Sequence, residues 1–300
     1  MNLRSFAVVS CLLSVLAMAP ARAADEPASA EAAPSDDKQE SLTDINKKLS
    51  NPVSSIWSLT FQQNNFRVSP DKHDTQRWSS NLLFQPVLPV GLTPDWNLIT
   101  RPVIPLFVST ARPDVNSPGL ERTMAFGDIS LFQLVSPSPK LAGTWLLGVG
   151  PTWILPTATS IWTGQKKWQV GPAALVGYLS DKFILGALFQ NWWSFGGSGP
   201  ARTSSMILQP IASYFLEDGW SVGYSGNILA NWKNSATNVY TVPIGVAVAK
   251  VQKMGPLPIR FSLGLQWMPV HPDEFGQVWN VQLIVAPVIP KLYKGNLISD

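Results

Sequence analysis

The stretch GWSVGYSGNILANW, residues 219–232, decides the fold. Trp220, Val222, Tyr224 and Ile228 alternate with Ser221, Gly223, Ser225 and Asn227, a period of two that sends one set to each face of an extended strand. The same pattern recurs downstream. Tyr240, Val242, Ile244, Val246 and Val248 stand against Thr241, Gly245, Ala247 and Ala249. Ile259, Phe261, Leu263, Leu265 and Trp267 stand against Arg260, Ser262, Gly264 and Gln266, and Trp279, Val281, Leu283 and Val285 against Asn280 and Gln282. Upstream, Trp57-Ser58-Leu59-Thr60-Phe61-Gln62 reads the same way. One face suits lipid and the other a wet interior, as in the wall of a transmembrane barrel.

Similar segments fall at 55–63, 76–86, 96–107, 124–135, 143–155, 166–180, 182–195, 204–216, 219–231, 238–252, 257–269 and 277–288, about twelve strands. An even count returns the chain to the side on which it started. With the N-terminus periplasmic, the inner turns are Val87–Asp95, Ser136–Ala142, Ser180-Asp181, Glu217–Gly219 and Lys253–Pro256. The outer loops, near 64–75, 108–123, 156–165, 196–203, 232–237 and 270–276, are mostly longer, as expected of such barrels. Tryptophan prefers the headgroup level. Trp57, Trp96, Trp145 and Trp220 come at inner strand ends, and Trp78, Trp153, Trp168, Trp192, Trp193, Trp232, Trp267 and Trp279 at outer ends. A soluble β-sandwich would bury them mid-strand. Pro102, Pro105, Pro151, Pro172, Pro210 and Pro243 lie inside these strands, where each removes a ladder donor, so bulges are expected there.

Composition agrees. The 300 residues include 13 Trp, 21 Gly and 26 Pro, but only 14% are charged. So little charge would solvate a soluble protein poorly, and no run is long and apolar enough for a membrane-spanning helix. Residues 1–23 read as a signal peptide: Arg4 opens it, Phe6 to Leu16 are apolar, and Ala21-Arg22-Ala23 is the cleavage site. The one cysteine, Cys11, lies within it, which excludes disulfide and thiolate chemistry from the mature chain. Net charge is +3, and loss of Arg4 and Arg22 leaves about +1, too little to indicate nucleic acid. Residues 24–50 read as a periplasmic leader, disordered to about residue 40 and ending in a short helix with Leu42, Ile45 and Leu49 on one face. Residues 51–300 form the barrel.

Phe126-Gly127-Asp128-Ile129-Ser130, Gly148-Val149-Gly150-Pro151-Thr152, Lys167-Trp168-Gln169-Val170-Gly171-Pro172, Gln209-Pro210, Asp218-Gly219-Trp220 and Val242-Pro243-Ile244-Gly245 carry a resemblance. Over residues 45–293 the chain resembles bacterial transporter-like proteins of the phenol meta-pathway type, some mislabelled neuromedin U. The resemblance implies an outer-membrane barrel connected with uptake of small, aromatic or hydrophobic molecules. The ending Asn296-Leu297-Ile298-Ser299-Asp300 lacks the closing aromatic common in barrels, which leaves a last strand ending near Pro287 with Tyr293 as the candidate aromatic.

Chemistry is sparse. The only histidines, His73 and His271, fall in outer loops outside any serine-hydrolase motif, so an outer-membrane lipid hydrolase is the weaker alternative. No cofactor or metal is expected, since two histidines and scattered loop carboxylates make no ligand set. Function then lies with inward side chains. By strand phase these are Arg77, Gln85, Arg101, Asp128, Gln169, Gln190 and Gln209, followed by Asn227, Asn231, Arg260, Gln266, Asn280 and Gln282. They either line a pore or bond to one another and fill the lumen. Arg101 and Asp128, on neighbouring strands, are candidates for an ion pair. Leu42, Ile45 and Leu49 are candidates for a plug at the periplasmic mouth. The expectation is an all-β, antiparallel up-and-down transmembrane barrel of about twelve strands with a short N-terminal helix. It would be a monomer in the outer membrane of a two-membrane bacterium, in contact with lipid, passing small solutes and performing no catalysis; a sealed structural barrel is the other alternative.

Overall fold

The computed structural model describes residues 41–69, 77–113, 120–293 and 295–298. The signal peptide with Cys11, the leader up to Glu40, and His73 lie outside the described residues. Helix α1 (Leu42–Ser50) leads into β1 (Trp57–Ser69), β2 (Arg77–Thr93) and β3 (Trp96–Pro113). Next come β4 (Leu120–Phe126), β5 (Ile129–Pro137), a one-turn helix α2 (Pro139–Ala142), β6 (Trp145–Leu155), β7 (Trp168–Leu179), β8 (Phe183–Gly196) and β9 (Ser204–Phe215). The chain continues through β10 (Trp220–Tyr224), β11 (Ile228–Asn231), β12 (Tyr240–Met254), β13 (Leu257–Val270) and β14 (Gly276–Ile289).

All pairings in the sheet are antiparallel, and β1 with β14 closes the ring. Both β4 and β5 lie against β3, and both β10 and β11 run between β9 and β12. The fourteen segments therefore make a closed up-and-down barrel of twelve staves, two of them interrupted.

Prolines on neighbouring staves explain the interruptions. Tyr224 pairs with Val246 and Leu229 with Thr241, while Gly223 pairs with Ser213 and Ile228 with Leu208. That register puts Pro210 opposite Gly226 and Pro243 opposite Asn227. Neither proline offers an N–H, so the course lapses at 225–227, Gly226 turns to φ 138°, and β12 bulges at Pro243. The stretch with the cleanest alternation is thus a broken stave. Likewise Pro105 faces the gap between β4 and β5, where Gly127 N–H donates to its carbonyl at 2.8 Å. Pro151 and Pro172 sit directly opposite one another in the β6–β7 ladder, and each interrupts pairing on its far side. The neighbouring carbonyls, of Gln133 and Asn191, then occupy the space a Cβ on Gly150 or Gly171 would need.

Several limits differ from the sequence reading: β3 runs on to Pro113 and β4 begins at Leu120, both within the loop expected at 108–123. β1 extends to Ser69, and β2 runs to Thr93 with only Pro94 and Asp95 left to turn. The amides of 62–65 look like a loop in isolation but suit a strand whose inner face is wet.

The outer face is apolar. Val246, Val248, Leu263, Leu265 and Leu185 stand exposed along it, a belt that a bilayer covers. Trp145 meets Tyr178 at 5.6 Å at the short-turn end, while Trp232 meets Tyr240 at 5.9 Å and Trp267 meets Trp279 at 6.1 Å at the other. Trp57 and Trp192 depart from this arrangement. Both are buried: Trp57 donates to the Pro89 carbonyl at 2.7 Å, and Trp192 points inward to the Thr152 hydroxyl at 3.1 Å. Beyond β14, the Leu297 and Ile298 N–H groups donate to the Gly91 and Leu92 carbonyls, tying the tail to the end of β2.

Candidate functional site: the barrel lumen

The inward positions form two unlike arcs. Along β3 and β5 to β9, Ile99, Phe132, Leu134, Leu146, Leu175, Ile184, Leu188, Ile211 and Phe215 pack into one buried cluster. Val53, just after α1, packs against it, so the N-terminal segment enters the barrel.

Opposite lies a chain of amides. Arg101 on β3 donates to Gln85, and Gln85 to Gln62 at 3.0 Å. Gln62 donates to Asn64 at 3.1 Å, and the same Asn64 oxygen accepts from Asn280 and Gln282, each at 3.2 Å. Asn280 also donates to Gln266 at 3.2 Å, and Gln266 to the Ser225 hydroxyl at 2.8 Å. The network crosses β3, β2, β1, β14 and β13 and ends in the gap after β10. Side-chain amides suit such a ladder because each supplies both a donor and an acceptor.

Beside this arc lies a cavity of about 330 Å³. Arg101, Gln209, Asn227, Arg260, Gln266, Asn280 and Gln282 line it, together with the end of α1 from Lys48 through Pro52. Of the other inward candidates, Gln85 is buried in the ladder. Gln190 accepts from the Thr152 hydroxyl at 3.0 Å, and Gln169 donates to Gln165 at 2.9 Å, so these two fill space. Asn231 caps the Lys233 N–H at 3.2 Å, and Arg77 is half-buried at the outer end of β2.

Arg101 and Asp128 do not pair. Asp128 accepts the backbone N–H groups of Ala158 at 3.0 Å and Gln165 at 2.7 Å, stapling the outer loop to the β4–β5 gap. Arg101 lies over the Phe132 ring at 5.9 Å, where the two arcs meet. Asp128 falls in the gap between β4 and β5, not within either strand, and the loop's N–H groups claim its carboxylate.

Helix α1 is seated at the short-turn end. The Thr43 hydroxyl donates to the Leu216 carbonyl at 3.1 Å, and Asn46, fully buried, donates to the Gly219 carbonyl and the Ser221 hydroxyl, both at 3.0 Å. Ile45 is buried, Leu42 packs beside Gly219, and Leu49 lines the cavity. Ser41 caps the helix by accepting the Asp44 N–H at 3.1 Å. Its hydroxyl, with Lys47 assisting, holds the Asp44 carboxyl below the usual range. Asn46 and Val53 escaped the sequence reading, because nothing local distinguishes a buried asparagine between lysines and an isoleucine.

His271 has its Nδ1 2.8 Å from the Pro272 carbonyl oxygen, an ordinary loop contact. Among the described residues no three of His, Cys, Asp and Glu come together to hold a metal.

No protein-family model matches the chain, and no curated protein matches it in sequence. Solved structures do. An outer-membrane channel from Pseudomonas putida F1 matches with a TM-score of 0.56 at 16% identity, over 78% of this chain and 96% of that one. The porin NanC matches at 0.44 and 9% identity over 77% and 99%, and the P. putida toluene transporter TodX at 0.35 and 11% over 80% and 91%. The first likeness is to the whole fold. With its apolar belt and closed ring, the chain is an outer-membrane β-barrel that shares its fold with the first of these structures.

Proposed function

We propose that this protein is a channel for passive passage of small solutes, gated at its periplasmic mouth by α1. The carrying observation is the polar, amide-lined cavity inside a closed barrel, with residues 48–52 forming part of its wall. Aromatic or hydrophobic compounds are the proposed solutes. Two features support this: the resemblance to the phenol meta-pathway type, and the aliphatic arc facing the amides. No reacting group is needed, and the ring closes within one chain, so a monomer suffices.

Liposome swelling with sugars, amino acids and aromatics tests the reading. Swelling is expected with at least one class, and none with any solute would indicate a sealed barrel. Deleting residues 24–50 should raise single-channel conductance in planar bilayers; unchanged conductance would mean that α1 only tethers.

A further inference from the structure

We propose that the lumen holds a binding site for small organic carboxylates, formed by the guanidiniums of Arg101 and Arg260. The proposal rests on the channel reading and names its solute class.

The cavity's charge is one-sided. Lys48, Arg101 and Arg260 line it, and among the described residues no Asp or Glu does. Glu121 on β4 and Asp128 in the gap after it, on the stave beside that of Arg101, are committed elsewhere, Asp128 to loop N–H groups and Glu121 to Arg112. Arg260 has no hydrogen bond or ion pair with any described residue, and the Nε atoms of both arginines are shut from solvent without a partner. Asn280, farther along the same lining, has an equally unpartnered Oδ1. A cation withdrawn from water is costly unless something pairs with it. Among the described residues Arg101 has only the neutral Gln85 as a hydrogen-bond partner, and neither arginine meets a counter-charge.

The ligand's chemistry follows. A guanidinium presents a planar fork of donors that matches a carboxylate bidentately. The cavity also carries Leu83, Ile211, Met268 and Ile284, which would waste contact on an inorganic ion but suit a carbon skeleton. Its volume of about 330 Å³ falls at the small end of the roughly 300–1,000 Å³ of small-molecule pockets. A single ring or short chain bearing one carboxylate fits these terms.

The experiment compares benzoate with benzamide, of like shape but without the charge, on the full barrel. Equilibrium dialysis in detergent should show saturable benzoate binding, at least tenfold tighter than benzamide and weakened by salt. Arg260→Gln and Arg101→Gln should each lose tenfold or more, and Arg260→Lys, which keeps the charge without the fork, should lose severalfold. Folding of each variant is read from its heat-modifiable gel mobility. Equal binding of the two probes, or full benzoate affinity in folded Arg260→Gln, would overturn the site. Should the Gln variants misfold, undiminished binding in Arg260→Lys together with benzamide parity would do the same. Conductance in planar bilayers is measured in parallel: binding without conductance defeats the channel reading alone, and conductance without binding defeats the carboxylate site alone.

Discussion

The two arcs of the lumen share one backbone geometry and one side-chain period, yet they behave as different materials. From β5 to β9 most inward residues are apolar and interlocked, with Leu134, Ile184 and Leu188 wholly without exposure and Gln169 and Gln190 filling space on the same staves. From β13 through β14 and β1 to β2 they include a run of amides that bond to one another beside a cavity. The dry arc is rigid because close packing leaves no alternative arrangement. The wet arc can exchange its partners for water or solute at little cost. A barrel so divided has a wall to lean on and a wall to bind with.

The dry arc is most vulnerable at Gly171, where a Cβ would collide with the Asn191 carbonyl oxygen in the backbone of the next stave. Gly171→Val is expected to abolish assembly, leaving no folded band on a heat-modifiability gel. Next, Leu134→Ala should cost about 2–5 kcal/mol of unfolding free energy in denaturant titrations, the usual effect of a core cavity. Asn46→Ala removes donors from the Gly219 carbonyl and the Ser221 hydroxyl, at a cost of roughly 1–3 kcal/mol to the seating of α1. Single-channel open probability should rise accordingly. On the wet arc, Gln62→Ala should cost only about 1 kcal/mol, since lumen water replaces the lost bonds. If it destabilised the barrel as much as Leu134→Ala, the distinction between the arcs would fail.

The smallest effect concerns acid. The Asp44 carboxyl is held low by the Ser41 hydroxyl. Its contribution to α1 is therefore present above the ordinary carboxylate pKa and lost as pH falls through the lowered folded value. Conductance should rise slightly on acidification through that range in the wild type. In Ser41→Ala the rise should begin at higher pH, which bilayer recordings at stepped pH would detect.

Much of the fold was legible because alternation is local. Trp220 to Tyr224, Ile259 to Trp267 and Trp279 to Val285 read correctly from period alone, and β7 and β8 came within two residues of their limits. The broken staves did not, because the cause of the gap at Gly226 lies in Pro210 and Pro243 on other staves. Asn64, at the centre of the amide ladder, fell in an expected loop, since four consecutive amides erase the alternation. Arg101 and Arg260 were identified as inward, but neither the ladder that occupies one nor the solitude of the other is visible along the chain.

From the sequence come the outer-membrane barrel and its twelve staves, because a two-residue period marks a strand with one apolar and one polar face. The tertiary structure alone decided which inward residues meet. Asn64 bonds to Asn280 across 216 positions, and Asn46 to Gly219 across 173. Ring closure and register create those contacts, and they separate the dry arc from the wet one, the filler amides from the lining, and the spent carboxylates from guanidiniums that meet no counter-charge among the described residues.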